Sequence, residues 1–347
     1  MKNVLTLALI TALFATGAWL FLGTDNHHEN DHHDHDHHAD EEHLHELVAA
    51  EPVRADGEFS ITTSFYPLQF ALERIAGDLA TVTNIGEGQD PHDYTPSTQD
   101  ILALQQADLV VLQGAEYEPW GDNIIDQLEA ASVPVVIATA DIALHELGED
   151  EHHDEHSDEN HHEEEEHKDE HDHAHGDYDP HTWLDPVLFS ETVEHLAESL
   201  VTLDPENADV YSANAAALQA ELAALDTQHT TTLASCALEE TITSHDAFGY
   251  LAERYSFTIH TIAGISTQDT PSIQTLAKLR EEAEEGVGAI LLEENAVAAY
   301  AETLSNETGL QTLPINPIAY VVPEGEDYLS LMQANLASFS TALACND

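Results

Sequence analysis

From residue 59 onward the chain alternates short apolar runs with helical periodicities. Ser60-Ile61-Thr62-Thr63-Ser64 reads as a strand, and the helix pattern that follows opens at Pro67 and reaches about Gly77. Residues 82–85 form the next strand, 98–107 a helix, and 109–112 an apolar strand closed by Gly114. Helix 122–131 and strand 133–138 complete this series. Helix 186–203 comes later, then a long helical stretch from Pro205 to about Leu233, with Asp204 placed to cap it. At ~1.5 Å per residue that stretch spans roughly 40 Å, the length of a whole lobe. A second series then has strands at 241–243, 258–262, 289–292 and 311–315. Its helices fall at 247–254, 272–284 and 296–307, and a last helix runs from 328 to about 344. Strands alternating with helices argue for parallel sheets. The expected fold class is α/β: two similar lobes with mostly parallel sheets, joined by one long rigid helix.

Two segments break the pattern. Residues 24–57 and 145–177 are rich in His, Asp and Glu and too poor in apolar residues to offset the entropy of ordering. The second is far longer than the ~4–6 residues usual for a connection inside a domain. Ahead of both, a nearly unbroken apolar run from Val4 to Leu22 follows Lys2. It reads as a signal peptide or an uncleaved membrane anchor. Trp19-Leu20-Phe21-Leu22 continue past the weak Thr16-Gly17-Ala18 cleavage candidate, which favours the anchor. No Cys lies nearby to carry a lipid. The expected organisation is 1–23 leader or anchor, 24–57 a tract, 58–203 a first lobe carrying the 145–177 loop, 204–236 a linker helix and 237–347 a second lobe.

Charge sharpens the picture. The 347 residues carry 68 Asp and Glu against 7 Lys and Arg, a formal charge of −61. Such a field repels nucleic acid and attracts cations. The stretches 25–51 and 146–177 hold 10 and 16 of the acids, so most belong to the folded body, as expected of a surface screened by salt. An exported location gives Cys236 and Cys345 two readings, one disulfide or two buried thiols.

Nine of the 25 histidines lie in the first tract and nine in 152–175, leaving seven. His195 and His229 sit on helical patterns beside polar residues and are expected to be solvated. His145 borders the second tract, and His260, inside a strand, is read evenly as structural or functional. His92 in Asp90-Pro91-His92, His181 in Asp179-Pro180-His181 and His245 in Ser244-His245-Asp246 occupy a different context. His92 and His245 follow strands and His181 sits in a turn just before a helix, on the side of α/β sheets where ligands bind. Two come from one lobe and one from the other. Neutral imidazole suits zinc, and three with a further donor make a tetrahedron.

The segments Pro91-His92-Asp93-Tyr94, Ala107-Asp108-Leu109-Val110-Val111, Glu118-Pro119-Trp120, 179–186 and 244–251 occur in an order that resembles one family. So do Gly264-Ile265-Ser266-Thr267 and Pro271-Ser272. The chain is similar to the zinc/manganese ABC-transporter solute-binding proteins (cluster A-I type), and most to their zinc-uptake, ZnuA-like branch. The resemblance covers about residues 59–345. It implies a monomer that holds a metal between two lobes and hands it to a membrane permease. His92, His181 and His245 match the family's three ligand positions. His rather than Glu at the third favours Zn2+ over Mn2+. The family's acidic residue after the last strand is matched by Asn316, a poorer ligand. Glu293, at the end of the 289–292 strand, is the nearest acidic alternative for the fourth position.

Two competing readings belong to other classes: a zinc hydrolase, and an extracellular zinc buffer or adhesin without a transporter. No His-Glu-x-x-His motif lies on a predicted helix, and no Gly-x-Ser-x-Gly elbow is present, so an enzyme is not expected. The tracts read as auxiliary, low-affinity zinc collectors. In the second, the ligands would be His152, His153, His156, His161, His162, His167, His171, His173 and His175. Deleting 145–177 is expected to reduce the number of zinc ions bound per chain and to slow uptake at scarce zinc. Unchanged stoichiometry and uptake would contradict a collecting role.

Overall fold

The computed structural model describes residues 59–114, 117–147, 177–265, 269–293 and 298–346. The leader, the first tract and the histidines 152–175 lie outside them. Within the first sheet, β1 (Phe59–Thr63), β2 (Ala80–Asn84), β3 (Leu109–Leu112) and β4 (Val135–Ile137) take the order β2-β1-β3-β4. Helices α1 (Tyr66–Ala76), α2 (Thr98–Gln106) and α3 (Gly121–Ala130) make its crossovers. Helices α4 (Pro186–Leu203) and α5 (Ala208–Leu233) follow.

The second sheet is formed by β5 (Glu240–Thr243), β6 (Thr258–Thr261), β7 (Ala289–Leu292) and β8 (Gln311–Pro314), in the order β6-β5-β7-β8. Its crossovers are α6 (Gly249–Tyr255), α7 (Ile273–Glu285) and α8 (Ala298–Thr308), and α9 (Tyr328–Ala342) closes the chain. Every strand pairing is parallel, so one topology occurs twice. The two-sheet α/β expectation holds.

How the sheets are buried was not evident from pattern alone. In β3, Leu109 and Val111 face one core while Val110 and Leu112 face another. In β7, Ala289 and Leu291 face the same core as Leu109, and Ile290 and Leu292 face a third. Alternate side chains leave opposite faces of a strand. Each sheet therefore turns one face to a private core under its crossover helices and the other to a single shared core. Leu196 and Leu200 of α4, Leu218, Leu222 and Leu225 of α5, and Phe339 of α9 fill that shared core.

Helix α5 is thus embedded rather than a free-standing connector. Its 26 residues rise ~39 Å, and Leu218, Leu222, Leu225, His229 and Leu233 recur every three or four residues along its buried side. His229 therefore corrects the solvated expectation. It is 0% exposed, its Nδ1 lies 3.0 Å from the Leu225 carbonyl, and its ring stacks on Tyr255. The stripe of leucines outweighs the polar neighbours Thr230 and Thr231, which face outward. His195 is partly exposed and pairs with Asp141 at 3.0 Å. Asp204 does not cap a helix with its side chain. It is buried, accepting from the Tyr211 hydroxyl and Asn207 amide at 2.7 Å each, and residues Pro205–Asn207 form a 3₁₀ turn before α5.

Cys236 and Cys345 are joined by a disulfide that ties the exit of α5 to the end of α9. Cross-linking across 109 residues removes unfolded-state freedom worth at most about 4–5 kcal/mol. The double variant Cys236→Ser/Cys345→Ser is expected to unfold at clearly lower urea, with an unchanged midpoint counting against this. A second expectation concerns His229, whose imidazole burial holds below its ordinary 6.5, against the weaker pull of the Leu225 carbonyl, Asp226 and Asp185. A depressed folded value makes its contribution complete above 6.5 and lost as pH falls below it. The stability gap between the parent and His229→Gln should narrow between about pH 7.5 and 5, measured by urea unfolding; a constant gap would refute the linkage.

Candidate metal centre

Three loops bring His92, His181 and His245 together, and two of them begin with Asp-Pro-His. Asp90 Oδ1 accepts the backbone N–H of His92 at 3.1 Å, and Asp179 Oδ1 accepts that of His181 at 2.9 Å. In each, a carboxylate two residues upstream pins the backbone of the histidine. The His92 loop leaves β2 through Gly86, where a Cβ would stand 2.2 Å from the Ser64 carbonyl; only glycine lets the loop press onto the end of β1. The ring of Tyr117 meets that of His92 edge-on, with centroids 4.7 Å apart.

The His181 turn is held from both sheets. Gln113, just past β3, donates to the Pro180 carbonyl at 2.8 Å and to the Thr182 hydroxyl at 3.1 Å. From the other side, Tyr250 of α6 donates to the Asp179 carbonyl at 2.7 Å. Trp183 Nε1 donates to the Pro317 carbonyl at 2.8 Å, and Tyr328 donates to the Trp183 carbonyl at 2.6 Å. Asp185 caps α4 through the N–H groups of Val187 and Leu188 and pairs with Arg254 of α6.

His245 and Glu293 meet for a reason visible in the strand register. Thr243 of β5 pairs with Leu291 of β7, so the residues two further along emerge side by side at the same sheet edge. Ring Nδ1 of His245 hydrogen-bonds Glu293 Oε1. Ser244 Oγ donates to the same oxygen at 3.2 Å. Glu293 is 3% exposed, and its Oε2 has no hydrogen-bond partner among the described residues. A buried carboxylate oxygen left so is costly and marks a place for a cation.

The ring atoms converge. His92 Nε2 and His181 Nε2 are 3.3 Å apart, and the rings of His181 and His245 have centroids 5.6 Å apart. Asp179 Oδ1 lies 2.8 Å from His181 Nδ1, so that nitrogen carries the proton and Nε2 presents its lone pair. Donors ~2.0–2.1 Å from a tetrahedral zinc stand ~3.3 Å from one another, the spacing of these two nitrogens.

Burial pushes the Asp179 carboxyl up to about 7, opposed by the His181 N–H it accepts. Burial, helped by His245, holds the His181 imidazole well below its usual range and so neutral. At His245 burial again favours the neutral ring, but the charge and hydrogen bond of Glu293 prevail and raise it. One ring is a ready donor, and the other is matched to a carboxylate.

Asn316 is differently engaged. Its Oδ1 accepts the Ile318 N–H at 2.7 Å and its Nδ2 donates to the Val321 carbonyl at 3.0 Å, so both ends of the amide serve their own loop. Asp179, Tyr117 and Tyr250 surround the histidines without having been singled out from sequence. The doubled Asp-Pro-His was a signal for Asp179, and Tyr250 lies inside the 244–251 segment that carries the resemblance; Tyr117 left none.

A relative from Streptococcus pneumoniae, the zinc-binding lipoprotein AdcA, is 36% identical over 289 residues, covering 82% of this chain and 55% of its own. The chain thus spans about half the length of that relative. The high-affinity zinc uptake system protein ZnuA of Bacillus subtilis is 35% identical over 289 residues, 82% of this chain and 87% of that one. The crystal structure of the Zn(II)-bound ZnuA-like domain of Streptococcus pneumoniae AdcA superposes with a TM-score of 0.67 at 32% identity, covering 83% of this chain and 99% of that one. The family model described as zinc-uptake complex component A, periplasmic, matches residues 61–342, and the chain belongs to that family.

Proposed function

We propose that this chain is the extracytoplasmic solute-binding component of a zinc ABC uptake transporter. It captures Zn2+ on His92, His181, His245 and Glu293 and delivers it to a membrane permease. The observation that carries this is the meeting of three imidazoles from separate loops beside a buried carboxylate with an unpartnered oxygen. Zinc accepts three imidazole nitrogens and one carboxylate oxygen in a tetrahedron, and the neutral state of His181 spares a proton-release step. Membership of the family supports the uptake role, and the names of its relatives support zinc.

Among the described residues no helix is long and apolar enough to cross a membrane. Attachment to the cell surface would rest with the apolar run 4–22. A monomer suffices, because every proposed ligand comes from one chain. The shared core and the clasp of Trp183, Tyr328 and Arg254 across the two sheets oppose wide hinge closure. Capture and release would then move the ligand loops rather than whole lobes.

Chelator-competition titrations of the full chain test this reading. His181→Ala and His245→Ala are expected to weaken zinc binding by more than about 100-fold, the upper cost of losing a residue that merely orients a ligand. Asp179→Asn, which leaves the ligand but not its orientation, should cost about 10–100-fold. Glu293→Gln should weaken binding as the histidine variants do, while Asn316→Ala leaves affinity nearly unchanged. The reverse ranking of those last two would move the fourth ligand to Asn316, and parent-like affinity in both histidine variants would defeat the proposal.

A further inference from the structure

The second sheet carries another cluster of metal-donor side chains, away from the three loops described above. His260 lies on the edge strand β6 opposite Ile242 of β5, and Glu240 lies two residues before Ile242. That is a diagonal cross-strand position, within reach of a long side chain. Helix α7 crosses this face and brings Glu282 to the same point from its last turn. His260 Nε2 is 3.0 Å from Glu240 Oε2 and 3.8 Å from Glu282 Oε2, and one donor atom from each residue falls within 4.8 Å of the others. These distances bracket the ~3.3 Å expected between donors on one tetrahedral zinc.

Charge argues that a proton alone does not satisfy this cluster. Nε2 can donate a single hydrogen, yet two carboxylates face it. A protonated imidazole between them leaves the trio at net −1. The trio also sits at the carboxyl end of α7, where the helix dipole is itself negative. The sequence there is Arg280-Glu281-Glu282-Ala283-Glu284-Glu285, with no basic residue in the last turn. A divalent cation with neutral imidazole brings the trio to zero and is favoured by the helix end. The His260 and Glu282 side chains are 17% and 21% exposed and that of Glu240 is 47% exposed, so the cluster is half-buried with one open side for water.

We infer that Glu240, His260 and Glu282 form a second divalent-cation site, for zinc, that clamps α7 onto the edge of the second sheet. One imidazole with two carboxylates suits zinc and its first-row neighbours, whereas Ca2+ seeks six to eight oxygens. Water would complete the coordination. The site is structural rather than a place of capture: Glu240 begins the strand that His245 follows, five residues and ~16 Å along the extended chain. It ties α7 to the paired strands β5 and β6, which α7 otherwise meets through the private core of Ile242, Ile262 and Leu279. The inference does not rest on the uptake reading, because none of its ligands belongs to the three-histidine centre.

The test uses the full chain with His92→Ala and His181→Ala, so that the cargo centre is silent, and follows thermal unfolding as ZnCl2 is added. The midpoint should rise by about 5 °C at zinc about 100-fold above the site's Kd. Adding Glu240→Gln and Glu282→Gln should abolish that rise, while zinc affinity in the otherwise unaltered chain bearing only those two changes stays at the parent value. Crystals of the unaltered full chain soaked in zinc should show an anomalous peak among the three side chains, a readout independent of how the variants fold. An unchanged rise in the Gln variants, no rise at all, or no peak there would each overturn the site.

Discussion

Desolvation is the constraint on which the candidate centre depends. His181, His245 and Glu293 are all removed from water, and in such surroundings each polar atom must be matched or it costs free energy of order 1–3 kcal/mol. Matching one nitrogen of an imidazole commits the other. Asp179 takes Nδ1 of His181 and thereby aims Nε2 at His92; Glu293 takes Nδ1 of His245. Much of the surrounding architecture keeps those two carboxylates in place. Tyr250, Trp183 and Gln113 clamp the Asp179 turn, and the β5–β7 register sets Glu293 beside His245.

The shared core makes that clamping possible. Two sheets packed only through a linker would let the His181 turn drift relative to His245. Here both sheets bury one face against the same apolar mass, threaded by α4, α5 and α9, so the turn and the second sheet belong to one packed body. Packed interiors resist continuous deformation. Side chains contributed by distant parts of the chain are therefore held in a fixed relation to one another.

Much of this was legible in the residues. The strand–helix alternation marked every strand, within one or two residues at the ends, because short β-branched runs and Pro- or Ser-headed helices leave strong local signals. The three histidines stood out through their loops. What could not be read required knowing which strand lies beside which. The pairing of Glu293 with His245 depends on the β5–β7 register, and the grouping of Glu240, His260 and Glu282 depends on the β5–β6 pair and the path of α7. The burial of His229 was in the pattern, at the fourth position of a leucine stripe, but its polar neighbours drew the reading outward. The shared core was hidden for another reason: an all-apolar strand shows that both faces are covered, but not by what.

The base of the acidic insertion has a consequence for how this protein can vary. Leu147 donates to the Asp177 carbonyl at 2.8 Å, Asp179 N–H donates to the His145 carbonyl at 2.9 Å, and Glu146 bridges Tyr178 in antiparallel fashion. Residues 145–147 and 177–179 thus close into one neck at the two ends of the insertion. Because the insertion's two ends meet at that neck, a change of composition in 148–176 leaves untouched the contacts that hold the Asp179 turn, which come from Gln113, His145 and Tyr250.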